Sequence, residues 1–401
     1  MLFISPRFLF PMDQGGKIRT GNILRGLKGG AFEVTLASPA PADVVRFERD
    51  LSLACDRFLP WPESPPARWR RALALGSRLP VAAAMDRSAA GASCVRDALA
   101  DRPDVVVVDF PHAGVLLPPH LDAPSVLFTH NVEAEIFERH AARSRGIWRL
   151  VWDEQCRKMR RFEGEVLRRC DRVIAVSRRD ASVLAKTYDL PVVETVDTGV
   201  DLDFFAYQPP APPPPPDGGT LVFTATMSWP ANVDGIHFLL DEVWPLLQRA
   251  RPAIQAVVIG RNPPPSLTAL IRERGLNVTL TGFVEDIRPF VAASHVYVIP
   301  LWVGSGTRIK TFEAMAMGRP VVSTTLGVEG LDVVHGQHLR CADSAPAFAA
   351  AILELLSNPD AAEGLARAAR CLIEARFSWH RIARQFEAIC LRAAAAPRRP
   401  R

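Results

Sequence analysis

Apolar residues in this chain gather into short unbroken runs, separated by longer stretches in which apolar positions recur every three or four residues. Asp104–Asp109 (DVVVVD), Ser125–Thr129 (SVLFT), Arg172–Val176 and Val296–Leu301 are such runs. Runs of this kind read as strands covered on both faces, the pattern of a parallel sheet. Further strands are read at Phe3–Ser5, Phe32–Ala37, Val192–Thr195, Leu221–Thr224, Ala256–Gly260, Val278–Thr281 and Val321–Thr324. Helical periodicity marks Ile18–Leu27, Ala134–Arg172, Asp180–Tyr188, Asn232–Leu247, Ile309–Met317, the Ala- and Leu-rich stretch from Ala347, and a last helix from Trp379 to about Ala394. Gly318 fits the position just past a helix end, and Pro320 prevents the helix from continuing. Strand and helix alternate through most of the chain, which predicts an α/β fold of Rossmann-like βαβ units. The segment Pro60–Arg71 (PWPESPPARWRR) reads as a loop because of its prolines.

Length changes the picture first. At 401 residues the chain exceeds one average domain and fits two. The run Pro209–Pro216 excludes helix and central strand and predicts a stiff polyproline segment between them. No apolar run approaches the ~18 residues needed to cross a bilayer. The amino terminus starts directly as a strand without a charged leader, so no secretory signal is expected. The seven cysteines form no CxxC pair, which predicts reduced thiols, a cytoplasmic setting and no zinc site. A net charge of +5 suits an anionic substrate or lipid surface, and no nucleic-acid-binding role is assigned. Within Ala134–Arg172, Trp148 and Trp152 sit one turn apart among arginines. That stretch reads as a core-facing or interdomain helix with a solvated charged side, or as a helix for an anionic membrane face or a lipid-linked acceptor.

The chemistry concentrates after Val296–Leu301. Gly304-Ser305-Gly306-Thr307 leads into a helix carrying Arg308, Lys310 and Glu313. In an open α/β sheet, ligands bind beyond the carboxyl ends of the strands. A helix start with two cations suits a phosphate, whereas a carboxylate one turn further suits sugar hydroxyls. Gly15-Gly16 before the first helix would let a ligand approach the backbone closely. Lys17 and Arg19 are secondary candidates there. His130-Asn131 follows the strand Ser125–Thr129, where α/β catalytic groups sit, and His112 is left as a structural or exposed histidine.

The stretch GSGTRIK, then FEAMAMGRPVVST and GVEG, resembles the donor-site signature of retaining two-Rossmann-domain glycosyltransferases. The closest likeness is to the large bacterial group 1 family, in its exopolysaccharide-type members. The resemblance implies a GT-B fold, two Rossmann-like domains facing across a cleft, with a carboxyl-terminal helix crossing back to the first. On that basis residues 1–200, with 379–394, form an acceptor domain. Residues 201–220 are the linker, 221–378 the nucleotide-sugar domain, and 395–401 a basic tail. It further implies that Glu313 holds ribose hydroxyls and that Arg308 and Lys310 grip the diphosphate. Gly15 and Gly16 would face the donor phosphate, His130 the donor sugar, and the backbone at Phe283-Val284 the base. Gly304, Ser305, Gly306 and Thr307 complete the donor loop. Many members carry a second glutamate where this chain has Ser305, and an Arg and a Lys near Thr226–Asn232 that this chain lacks.

The implied activity is sugar transfer from a nucleotide-diphosphate sugar to a saccharide or lipid-linked hydroxyl, with retention and without a metal or cofactor. The expected setting is cytoplasmic, with peripheral association with the inner membrane face as the option that the Trp148/Trp152 helix leaves open. The alternatives are a nucleotide-sugar-binding protein without transferase activity and a sugar-nucleotide epimerase of the same architecture. An NAD-dependent oxidoreductase is disfavoured, because GxGxxG is missing after the first strand.

Overall fold

The computed structural model describes residues 1–63, 68–227, 229–302, 309–329 and 331–396. The chain divides into two compact units, Met1–Asp197 with Trp379–Arg401, and Thr198–Ser378. Among the described residues, no helix is long and apolar enough to cross a membrane.

The first unit holds seven strands: β1 (Leu2–Ile4), β2 (Thr35–Ala40), β3 (Arg57–Pro62), β4 (Val106–Asp109), β5 (Ser125–Phe128), β6 (Arg172–Ala175) and β7 (Glu194–Thr195). They lie in the order β3-β2-β1-β4-β5-β6-β7, parallel throughout. Successive side chains in a strand point to opposite faces, and the two faces carry separate cores. Leu2, Ile4, Val106, Val108, Leu127 and Val173 fill one. Phe3, Val107, Val126, Phe128 and Ile174 fill the other, where Trp379, Ile382, Phe386 and Ile389 of the terminal helix Trp379–Ala394 join them. The Phe386 ring meets Phe128 edge-on at 5.1 Å.

Pro60–Arg71 is not a single loop. Arg57–Pro62 is a strand, and Arg68–Leu75 is a helix. Prolines cannot donate to a ladder, but β3 is the sheet's edge and pairs only with β2, so its other side needs no donors. The second strand also begins later than Phe32, at Thr35.

The second unit holds β8 (Gly218–Thr224), β9 (Ala253–Ile259), β10 (Val278–Gly282), β11 (Val296–Ile299), β12 (Val321–Ser323) and β13 (Arg340–Cys341). Their order is β10-β9-β8-β11-β12-β13, again all parallel. The helical stretch after β8 runs from Pro230 to Ala250 and widens into a π turn at Phe238–Val243. Pro245 follows that turn. It has no N–H and crowds the carbonyl four residues back, and a widened turn relieves both.

The proline run is held against the second unit. Buried Arg319 donates to the carbonyls of Gln208 (2.7 Å) and Pro209, and His295 Nε2 donates to Pro212 O at 2.9 Å. Prolines offer acceptors but no donors, and these two side chains supply them. Arg319 is itself positioned by Gly318, whose φ of +70° closes the helix Ile309–Ala316. Gly318 N bonds Met315 O and Arg319 N bonds Ala314 O, each at 3.0 Å, the paired bonds of a Schellman ending.

Because Phe386 is fully buried on the sheet, Phe386→Ala should lower unfolding stability by about 3–5 kcal/mol, measured by urea denaturation. A loss below ~1 kcal/mol would mean that the terminal helix contributes little to this core.

Candidate functional site

Adjacent strands β8 and β11 send their connections to opposite faces of the sheet, which leaves a crevice at their carboxyl ends. A cavity of about 260 Å³ occupies that place, lined by Thr224, Thr226, Trp229, Asn232, Tyr297 and Lys310 among others. Lys310, in the first turn of the helix Ile309–Ala316, donates to Thr224 O at 2.7 Å. Asn232 Nδ2 donates to Thr226 O at 2.8 Å, and the hydroxyls of Thr224 and Tyr297 share a hydrogen bond. The Thr311 hydroxyl is fully buried, lines the same cavity and has no partner among the described residues.

Glu313 lies three residues beyond Lys310 on the same helix, hence on the same side. Burial pushes its carboxyl up to about 7, and the Lys310 charge opposes that shift. The group therefore titrates near neutrality and can pass from donor to acceptor in that range. Gly304, Ser305, Gly306, Thr307 and Arg308 lie outside the described residues.

Phe283 and Val284 follow β10. The register shift between Leu280 and Gly282, with Gly282 at φ +71°, turns the chain outward, and Phe283 is 57% exposed. Arg261, at the end of β9, stacks on the Phe283 ring at 3.9 Å. This pair forms a flat cationic platform that the sequence did not single out.

In the first unit, Gly15 and Gly16 are the first residues of the helix Gly15–Leu27, not part of the preceding loop. Gln14 caps it with extended backbone and no side-chain bond. A Cβ on Gly16 would stand 2.6 Å from Phe110 Cζ, so glycine is what lets this helix approach that ring. Phe110, at φ +63°, in turn stacks on His130 with ring centres 3.9 Å apart.

His130 is buried and both its ring nitrogens are engaged. Nε2 lies 2.7 Å from Asp109 Oδ1, and Nδ1 lies 2.9 Å from Arg19. Ser5 and Thr20 donate to the same Asp109 carboxylate at 2.9 and 3.0 Å. A guanidinium can only donate, so Nδ1 is the acceptor and Nε2–H donates to Asp109. Burial holds the His130 pKa below its usual value against the Asp109 charge, which keeps the ring neutral. Burial also lowers Arg19 to about 10. In this arrangement His130 presents no nitrogen to a ligand.

His112 is buried rather than exposed, 3.6 Å from both Asp86 Oδ2 and Glu133 Oε2, and among the described residues neither ring nitrogen has a hydrogen bond. Burial lowers His112 to about 4 and raises Asp86 to about 6. It raises Glu133 to about 7, with help from the Glu163 charge. Glu163 accepts from the backbone N–H of Glu133 (2.8 Å) and Ala134 (3.2 Å), closing the start of the helix Glu133–Arg143. Among the described residues, no group of three or more His, Cys, Asp or Glu side chains is arranged to hold a metal ion.

Two family models match the chain: "Glycosyltransferase Family 4" over residues 14–204 and "Glycosyl transferases group 1" over residues 218–358. The chain belongs to the group 1 glycosyltransferases. As a group 1 chain it is similar to glycogen synthase of Mycobacterium tuberculosis, with 25% identity over 75% of this chain and 71% of that protein. An uncharacterized 44.6 kDa protein in the cps region of Klebsiella pneumoniae is 23% identical, over 34% of this chain and only 37% of its own length. Among solved structures, sucrose-phosphate synthase from Thermosynechococcus elongatus superposes with a TM-score of 0.72 at 18% identity, covering 99% of both chains. Anabaena HepE in complex with UDP and glucose gives 0.65 at 16%, covering 97% of this chain and 98% of its own. At these identities the structural likeness shows the GT-B architecture of this family member, with two parallel-sheet α/β units.

The raised Glu313 pKa has a consequence for stability. Between about 4.5 and 7 the folded state holds a proton that the unfolded chain has released, so this carboxyl's contribution to stability falls as pH rises through that window. Glu313→Gln removes the effect. Its melting temperature relative to the parent should therefore be higher at pH 8 than at pH 5 by scanning calorimetry; the opposite order would mean that the folded state favours the ionised carboxylate.

Proposed function

We propose that this protein transfers a sugar from a nucleotide-diphosphate sugar to a hydroxyl acceptor, with retention of configuration and without a metal, toward a polysaccharide or glycolipid. The supporting observation is Lys310 lining the β8/β11 crevice, with Glu313 three residues further along the same helix. Departure of a nucleoside diphosphate leaves negative charge on the phosphates and positive charge on the sugar. Lys310, with Arg308, answers the first, since preorganised cations stabilise charge as it develops. Glu313, once ionised, accepts hydrogen bonds from ribose hydroxyls, and the unpartnered Thr311 hydroxyl is one more group for a polar ligand. The Arg261–Phe283 platform offers a stacking surface for the base. His130 is assigned a positioning role: with Asp109, Arg19 and Phe110 it fixes the start of the helix carrying Gly15 and Gly16. The UDP and glucose in the HepE complex make UDP-glucose the first donor to try.

A second reading, binding of a nucleotide sugar without transfer, is favoured by Ser305 at the position of the family's glutamate and by the enclosure of His130. Transfer and binding assays separate the two.

In a thermal-shift screen of nucleotide-diphosphate sugars, at least one should raise the melting temperature. Glu313→Ala should abolish that shift, and Lys310→Ala should cut turnover by about 10²–10³-fold. NMR of the product should show the donor's anomeric configuration. Full transfer in both variants would overturn the site, a shift without transfer would support the binding-only reading, and an inverted product would remove retention.

A further inference from the structure

A large cavity in the first unit borders the histidine cluster: Arg7 lines it and lies 5.9 Å over Phe110, the ring that stacks on His130. The cavity measures about 950 Å³ and is walled by Trp61, Phe137, Trp148 and Trp152. Its aromatic wall is pre-arranged: Trp152 stacks on His140 at 4.5 Å and meets Phe137 edge-on at 5.9 Å. Rings held in this way bury apolar ligand surface at little entropic cost.

The same cavity has a charged side, with Arg7, Arg71 and Arg87 against Asp86 and Glu63. Three guanidiniums against two carboxylates make an anion welcome there, and guanidinium groups suit phosphate oxygens. Asp86 also carries an unmet demand. Among the described residues its Oδ2 is buried without a hydrogen bond, and behind it His112 holds two further unbonded nitrogens, with 3.6 Å separating Asp86 from the ring. Buried polar atoms without partners are rare in folded proteins. The Asp86 side chain is still 17% exposed where it lines the cavity. A ligand hydroxyl can reach the exposed edge of this carboxylate and donate there, while the buried Oδ2 stays turned toward His112. Trp148, one turn from Trp152 on the same helix, is itself 65% exposed. The apolar wall of Trp152, Val151 and Trp148 thus ends on an exposed ring at the mouth of the cavity, where an alkyl chain can leave the pocket.

We infer that this cavity is the acceptor site and that it takes a lipid whose head joins free hydroxyls to a phosphate, with the hydroxyl on Asp86, the phosphate by the arginines, and the chain along Trp152 and Trp148. The inference rests on the transferase reading above for the word acceptor, but the binding it requires does not. A saccharide without a lipid lacks the apolar body that the four aromatic rings fit, and a lipid without hydroxyls offers no donor to the exposed edge of the Asp86 carboxylate.

The test uses the full chain and dihexanoylphosphatidylglycerol below its micellar concentration, followed by tryptophan fluorescence. Dihexanoylphosphatidylcholine, without free hydroxyls, and glycerol 3-phosphate, without a chain, are the controls. Phosphatidylglycerol should bind at least tenfold more tightly than either. Asp86→Leu, which removes an unpartnered carboxylate, and Trp148→Ala, which truncates an exposed ring, should each weaken binding about tenfold. Equal binding of the two lipids, indifference to Asp86→Leu, or binding only to phosphatidylglycerol vesicles and not to monomers would overturn the site, the last pointing to surface adsorption instead. UDP-glucose binding is measured in parallel. Lipid binding without nucleotide binding leaves the cavity standing and removes the transferase reading, whereas the reverse result removes the cavity alone.

Discussion

Strands that reverse their order in a parallel sheet cannot cover their own carboxyl ends. In the second unit the reversal lies between β8 and β11, and in the first between β1 and β4. The connections leave those strand pairs in opposite directions, so the backbone exposes a gap that only side chains can fill. Lys310, Tyr297, Thr224 and Asn232 fill one gap, and Ser5, Asp109, Thr20 and His130 fill the other. Polar residues concentrate at these places because the neighbouring strand interiors admit only apolar ones.

The two gaps are filled by opposite electrostatic arrangements. In the first unit the polar groups satisfy one another: Asp109 accepts from Ser5, Thr20 and His130, and His130 accepts from Arg19. Such a closed network holds its members still and keeps the imidazole neutral. In the second unit the demands are only partly met. Thr311 keeps a hydroxyl without a partner among the described residues, and Glu313 is held close to its titration point by burial. Perturbed ionisation beside a cavity is the usual mark of a place where a ligand completes the structure. The cluster of Asp86, His112 and Glu133 has the same character, with burial shifting all three.

Much of the fold was legible because it is written in local periodicity. The runs at 104–109, 125–129, 172–176 and 296–301 each became a parallel strand, and the glycine after the helix Ile309–Ala316 ends it through two backbone bonds. The misreadings have a common cause. Pro60 and Pro62 looked like loop residues since nothing in the local sequence says that β3 is an edge strand. The helix at Gly15 was read as starting at Ile18, glycines being poor helix formers, yet the close approach to Phe110 requires one there.

By itself the sequence determined the alternation of strands and helices, the two-unit size and the spacing that puts Lys310 and Glu313 on one helix after a buried strand, all of which depend on neighbours along the chain. It could not say that Arg19 and Asp109 would meet at His130, or that Arg319 and His295 would anchor the proline run. It gave His112 only as a structural or exposed histidine, and folding is what places it between two carboxylates. Those pairings join residues far apart in the chain. The order of strands in each sheet decides them, because that order sets which strand ends lie side by side and so which side chains lose their water together.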